Sequence, residues 1–263
     1  MPAQRIDFPG SQGARLAARL ELPEPPEHAE HAEHEPRAFA LFAHCFTCGK
    51  DVAAATRIAS GLTGAGFGVL RFDFTGLGHS EGDFASTNFS SNVGDLVAAS
   101  DWLAEHHAAP GLLVGHSLGG AAVLAAAPKI DACRAVATIG APADPAHVEH
   151  LLSGSTERIE REGEVELSLA GRPFTIRRQF LDDIRTASLI DALPNLGRAL
   201  LIMHSPTDAV VGVENAERIY TAARHPKSFV SLDGADHMLT KRDDAAFVAA
   251  VLGAWAQRYV ESA

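Results

Sequence analysis

Gly111-Leu112-Leu113-Val114-Gly115-His116-Ser117-Leu118-Gly119 runs straight into Gly120-Ala121-Ala122-Val123-Leu124-Ala125-Ala126-Ala127, an apolar strand pattern followed by a small-residue helix pattern. The join reads as strand, sharp turn and helix, with Ser117 at the apex. Such a turn pushes the apex residue towards positive φ, and residues two positions either side must lack a Cβ where strand and helix crowd together. Gly115 and Gly119 meet that demand, with His116 and Leu118 between them and the serine. Two glycines in five residues arise by chance in many chains. The pattern therefore takes its meaning from its strand-to-helix setting and from partners downstream.

Working outward, short β-like runs alternate with longer helical patterns, the signature of a mainly parallel sheet covered by helices on both faces. Eight strands are expected, near 5–8, 14–22, 38–43, 68–72, 111–115, 135–139, 198–204 and 227–232, the first two making an antiparallel start. Helices are expected over 51–65, 92–106, 213–223 and 244–259, besides the one after Ser117. The rhythm breaks between Gly140 and Arg198, a stretch far longer than the roughly two to six residues of a usual connection. Within it Glu164–Leu169 alternates polar and apolar, 170–173 carries turn chemistry, and Phe174–Arg177 alternates again, so a β-hairpin flanked by helices is expected. The division that follows is a core over 1–141, a cap inserted at 142–197, and the rest of the core over 198–263. A decorative surface insertion is the plainer alternative.

At 263 residues and 46% hydrophobic content the chain can bury a sizeable core. A formal charge of −11 argues against nucleic acid or an anionic membrane as partner. With no apolar leader at residues 1–7 and no run long enough to span a bilayer, a cytoplasmic location is expected. Cys45, Cys48 and Cys133 are too few and odd in number for a secreted disulfide framework, which agrees with a reducing compartment. His28, His31 and His34 repeat every third residue, but prolines on both sides make the segment a solvated loop rather than a metal site. No metal and no cofactor are expected. The oligomeric state stays open, a homodimer among the options.

A serine hydroxyl is a weak nucleophile and needs a base, and the base needs a third group to hold its tautomer. The apolar run Leu200-Leu201-Ile202-Met203-His204 ends in Ser205-Pro206-Thr207-Asp208, which sets Asp208 at the carboxyl edge of the sheet. A helix cap or Asx-turn is the structural alternative for Asp208. His237 follows the last expected strand and precedes the last helix, and the order Ser, Asp, His suits a serine on such an elbow. Asp233 and Asp236 are rivals to Asp208. An oxyanion would take one backbone N–H from Leu118 and a second from the loop after the 38–43 strand, Phe46 being the first choice and Cys45 the second. Phe84, Phe89, Phe174 and Phe180 are candidates to line a pocket, with core packing as the competing reading of each. Cys45-x-x-Cys48 is expected to pack behind the oxyanion loop as free cysteines, with reversible oxidation of the pair as the functional alternative.

The elbow, Asp208 and His237 resemble the serine hydrolases of the α/β-hydrolase superfamily over nearly the whole chain. His44–Lys50, Arg71–Gly78, Thr87–Asn92 and Gly140–Asp144 are similar to a narrower group, hydrolase domains often placed ahead of an OsmC-type domain. Where many of the wider superfamily carry His-Gly, this chain has His44-Cys45. The sequence ends one helix beyond His237, so it reads as a stand-alone member or as the hydrolase half of a longer protein. The resemblance implies the α/β-hydrolase fold with a mostly parallel eight-stranded sheet. It also implies hydrolysis of carboxylic esters, with poorly defined natural substrates, through an acyl-enzyme on Ser117; short acyl chains are a separate expectation. Acyl transfer, thioester cleavage or peptide cleavage would use the same triad, and a non-catalytic ligand-binding or interaction module is the remaining alternative.

Overall fold

The structure, a computed structural model, describes residues 3–24, 35–152, 154–169 and 171–260. His28, His31 and His34 lie outside the described residues. In chain order the elements are β1 (Gln4–Pro9), β2 (Arg15–Glu21), β3 (Phe39–Ala43), α1 (Ala53–Gly64), β4 (Gly68–Phe72), α2 (Phe89–His106), β5 (Pro110–His116), α3 (Leu118–Ala126) and β6 (Ala135–Ile139). There follow α4 (Thr156–Glu162), β7 (Glu164–Leu169), β8 (Arg172–Arg177), α5 (Arg178–Thr186), α6 (Leu189–Ala192), β9 (Ala199–His204), α7 (Glu214–Ala222), β10 (Lys227–Ser231) and α8 (Arg242–Val260).

Eight strands make one sheet in the order β1-β2-β4-β3-β5-β6-β9-β10. β2 runs antiparallel to both neighbours, and from β4 to β10 all pairs are parallel. Composition follows that difference. β3, β4, β6 and β9 are buried at every position, as strands covered on both faces must be, whereas β2 alternates buried and partly exposed residues. One face of the sheet packs on α1 and α8 through Ile58, Leu62, Val248 and Leu252. The other packs on α2 and α3 through Val93, Leu96, Ala122 and Val123.

The order reverses beside β3, whose neighbours are β4 and β5, so the loops leaving β3 and β5 emerge side by side at the carboxyl edge. Ala43 pairs with Gly115 at that edge. Sites in open parallel sheets form where connections diverge in this way.

The segment between β6 and β9 contains 3₁₀ turns over Pro145–Leu152, then α4, the hairpin β7–β8, α5 and α6. Val148, Leu152, Ile159, Val165, Ile176, Phe180 and Ile184 join the same apolar cluster as Leu118 and Val123, so the insertion shares a core with the sheet face it covers. Asp183 on α5 accepts hydrogen bonds from the Ser90 amide at 2.7 Å and hydroxyl at 2.6 Å at the start of α2.

Three local expectations are corrected. Residues 45–52 form turns, with the Cys48 and Val52 amides bonded to the Cys45 and Gly49 carbonyls, so α1 starts at Ala53 rather than 51. α2 starts at Phe89 because Asn88 and Ser91 cap each other reciprocally, side chain to amide at 2.8 and 2.9 Å. Arg172 and Pro173 belong to β8 rather than to the turn, since Leu169 pairs with Arg172 and Gly171 takes φ +76° just before it.

Candidate functional site

The turn at Ser117 has the backbone its sequence demands. Ser117 sits at φ +56°, ψ −128° between β5 and α3, its amide bonded to the Ile139 carbonyl at 2.9 Å. A Cβ on Gly115 would lie 2.2 Å from the Gly119 carbonyl oxygen, and one on Gly119 would lie 2.4 Å from the His44 carbonyl oxygen. The second contact brings the start of α3 against the loop after β3. The segments that contain the Leu118 and Phe46 amides therefore meet at this glycine.

Among the described residues three non-glycine residues take positive φ, namely Thr47 (62°), Ser117 (56°) and Leu239 (49°). Each costs on the order of 1 kcal/mol or more and persists only where its surroundings over-determine it. They fall on the loop after β3, on the elbow and on the loop that carries His237.

His237 Nδ1 lies 2.7 Å from Asp208 Oδ2, with both side chains nearly buried. Asp208 Oδ1 accepts the amides of Val210 and Val211 at 2.8 and 2.9 Å. Burial opposes the charge on Asp208, but the His237 hydrogen bond and those two amides outweigh it and hold the carboxyl below its ordinary value. Gly140, at φ +55° beyond β6, fits under this pair, since a Cβ there would lie 3.2 Å from Asp208 Oδ2 and 3.4 Å from His237 Nδ1. The rival carboxylates have local partners. Asp233 accepts from the Ser231 hydroxyl at 2.5 Å, and Asp236 accepts from the amide and hydroxyl of Thr240.

The loop after β3 is fastened from beneath. His44 Nδ1 donates to the Cys45 carbonyl at 2.8 Å, and burial lowers the His44 imidazole below its ordinary value. Lys50 and Asp73 form a buried ion pair at 2.7 Å, and Asp73 also accepts the amides of Lys50 and His79. Burial works against the Asp73 charge, yet the Lys50 ammonium and the two amides keep its carboxyl below the ordinary value. Gly78, at φ +55°, is the turn residue that makes room, because a Cβ there would meet the Asp73 carboxylate at 2.3 Å.

Cys45 and Cys48 are joined by a disulfide, Cα–Cα 5.3 Å, which corrects the expectation of free cysteines packed behind the loop. The turn closed by the Cys48 amide on the Cys45 carbonyl places the two sulfurs within bonding reach, a juxtaposition that spacing in sequence left undecided. Cys133 is free and buried, its thiol pushed up to about 11 by burial.

Of the four phenylalanines proposed as pocket lining, three gather with Phe46. Phe46 packs on Phe84 and Phe180 with ring centroids 5.8 and 5.4 Å away, and Phe84 on Phe174 at 5.0 Å. Phe89 lies in the main core at 2% exposure. Phe46 alone of these rings also borders a cavity of about 10 Å³ beneath Leu118 and Gly119, lined besides by His44, Phe74, Leu77, Asn92 and Ala122. Sequence reasoning missed Arg172, which donates to the Thr47 carbonyl from the insertion and lies over the Phe174 ring. No pattern in the chain signals that contact. The Lys50–Asp73 pair was visible only as two charged residues inside apolar surroundings.

No helix among the described residues is long and apolar enough to cross a membrane. The family model described as Serine aminopeptidase, S33 matches residues 34–149. The esterase domain of a Rhodothermus marinus protein shares 50% of its residues with this chain, over 99% of this chain and all of that one, at a TM-score of 0.78. Est1E from Butyrivibrio proteoclasticus, solved with ferulic acid bound, is 19% identical over 96% of this chain and 98% of that one at a TM-score of 0.76, a likeness of fold. The uncharacterized protein YfhR of Salmonella typhimurium is 25% identical over 205 residues, 76% of this chain, and the chain spans 65% of YfhR's length. The sheet order, the elbow at Ser117 and these likenesses agree, and the chain belongs to the α/β-hydrolase superfamily.

Proposed function

We propose that the protein is a serine esterase that cleaves small carboxylic esters with short acyl groups. The observation that carries this reading is the His237–Asp208 pair at 2.7 Å on the sheet edge where Ser117 is held at positive φ. In this reading Ser117 Oγ attacks the ester carbonyl and His237 takes its proton. Asp208, ionised and fixed by two amides, keeps the Nδ1 proton of His237 in place so that Nε2 faces the serine. The amides of Phe46 and Leu118 receive the developing oxyanion, each donor contributing about 3 kcal/mol to barrier lowering. His237 then protonates the leaving alcohol, and water attacks the acyl-enzyme by the same route in reverse.

The aromatic cluster of Phe46, Phe84, Phe174 and Phe180, its rings packed on one another at 5.0–5.8 Å, supports a short acyl group. Segment 142–197 acts as a cap whose Phe174 and Phe180 form one wall of the site. The esterase domain at 50% identity supports the ester as substrate class.

The matched family's name favours one second reading, cleavage of an N-terminal peptide bond. Reaction with a fluorophosphonate probe tests the serine, with loss of the adduct in Ser117→Ala expected. A panel of aryl esters of rising acyl length, thioesters and aminoacyl anilides then separates the substrate classes. Faster turnover of the anilides than of acetyl or butyryl esters would overturn the esterase reading.

A further inference from the structure

The elbow places His116 beside Ser117, and the sequence assigns it no further part. Its side chain crosses to the other end of the site. His116 Nε2 lies 2.7 Å from the carbonyl oxygen of His237, 121 residues later in the chain, and the two rings are 5.0 Å apart. A carbonyl oxygen only accepts, so His116 carries its proton on Nε2 and donates it.

We propose that His116 is a positioning residue, whose hydrogen bond to the His237 backbone holds the base in register with the nucleophile that follows it in the chain. The inference rests on the reading of Ser117 and His237 as nucleophile and base. A single contact from Asp208 to Nδ1 fixes the tautomer of His237 but not the distance of its ring from Ser117, which depends on where the backbone of the loop is held. Two carbonyls of the His237 loop are held by side chains at the ends of the strands that lead to Asp208 and Ser117, that of Ala235 by the Ser205 hydroxyl at 2.7 Å and that of His237 by His116. Ser205 follows β9, the strand that leads to Asp208, and His116 ends β5, the strand that leads to Ser117. Each of the other two members of the triad thus sends a neighbour to fasten the loop of the third. The contact is buried, His116 being 4% exposed, so water offers the His237 carbonyl little substitute. Burial, aided by the nearby His237, depresses the His116 imidazole to about 4, so it is an uncharged donor at neutral pH and adds no positive charge beside the base.

Reacting atoms must stand about 3–3.5 Å apart to react, and a displacement near 1 Å costs about 100-fold. The test compares His116→Phe, which keeps the ring volume and removes the donor, with His116→Gln, which keeps an N–H donor, on an acetyl or butyryl aryl ester. His116→Phe is expected to lower kcat about 10- to 100-fold with KM within about twofold, and His116→Gln to recover most of that loss. The downfield proton NMR signal of His237 Nδ1–H should broaden in the Phe variant and stay sharp in the Gln variant. Equal losses in both variants, or a Phe variant with unchanged kcat and a sharp signal, would overturn the proposal. If the Phe variant does not fold, His116→Asn, too short to reach the carbonyl, takes its place with the same expected outcome. Fluorophosphonate labelling of the unmodified protein separates the failures. An unlabelled Ser117 overturns the catalytic reading and this inference together, whereas a labelled Ser117 with an unaffected variant overturns this inference alone.

Discussion

A Cβ added to Gly115 or Gly119 would meet backbone atoms at 2.2–2.4 Å, whereas one added to Gly154 or Gly163 in the insertion would meet nothing within 4 Å. At the sheet edge main chain packs on main chain, and no side-chain rearrangement can relieve a clash. In the insertion the same residue type serves only to supply positive φ at turns. Contacts between the two regions are made by side chains instead, through Arg172 on Thr47, Asp183 on Ser90, and Phe174 and Phe180 on the rings of Phe84 and Phe46. The esterase proposal puts the reacting groups on the edge whose main chain has no room to shift, and leaves to the insertion contacts that side chains can remake at modest cost.

Paired substitution of glycines in the two regions carries the largest expected effect. Gly119→Ala is expected to lose about 3 kcal/mol or more, or to fail to fold, while Gly163→Ala pays only the positive-φ strain of about 1 kcal/mol, both read by urea denaturation. Equal losses would remove the distinction.

Next in size is the response to acid. The His116 imidazole titrates at about 4 in the folded protein against 6.5 when free, so between those values the unfolded chain binds more protons and stability falls as pH falls. His44, lowered in the same direction, adds to the loss. At about 1.4 kcal/mol per pKa unit the His116 share reaches about 3 kcal/mol near pH 4, and His116→Gln should remove it from the pH–stability curve. Below that range the carboxyls of Asp73 and Asp208, held low by their partners, continue the decline as they are protonated. Substituting Arg185 of the insertion, whose ion pairs with Glu149 and Glu160 are partly exposed, should shift stability by less than about 1 kcal/mol.

Reduction of Cys45–Cys48 sharpens the edge itself. A dithiol such as dithiothreitol converts the disulfide to two thiols and closes to its own cyclic disulfide. Freed from the bond, Phe46 and Thr47 are expected to relax, with a severalfold fall in kcat and a stability loss of about 2 kcal/mol. Cys48→Ala should show the same turnover with and without reductant, and peroxide should restore activity only to the unsubstituted protein.

Trimming the insertion's wall should change turnover least. Phe174→Ala is expected to move the acyl-length optimum towards longer chains and to change KM several-fold, at a stability cost of about 1–2 kcal/mol for a half-buried ring. An unchanged optimum would show that this ring packs without selecting.

Much of this molecule was legible beforehand, and the parts that were share a cause. The eight strands of the sheet fall within a residue or two of their expected places, the buried parallel ones because they are continuous apolar runs, as in Leu200–Met203, and β2 because it alternates. Asp208 and His237 could be singled out because each follows a strand end, a position that sequence order and turn residues reveal. The crowding at Gly115, strand against helix, follows from the elbow's shape, whereas Gly119 is required by the Ala43 and His44 carbonyls of the loop after β3, a contact the elbow pattern does not signal. Start points such as Ala53 and Phe89 were harder, because they depend on how neighbouring turns and caps share a few hydrogen bonds.

What the sequence determined by itself is therefore local: periodicity, glycine at a forced turn, and the order of chemistry-bearing residues along strand ends. Tertiary structure decided which distant groups meet. Lys50 was one charge and Asp73 another until the loop after β3 came back over β4 and buried both. Arg172 was a turn residue until the hairpin laid it on the Thr47 carbonyl, and Cys45 and Cys48 were separate thiols until the loop closed. His116 reaches His237 across 121 residues. Backbone conformation is chosen by a residue and its neighbours, whereas a hydrogen bond between remote segments exists only once the whole sheet has set their separation to within a few tenths of an ångström.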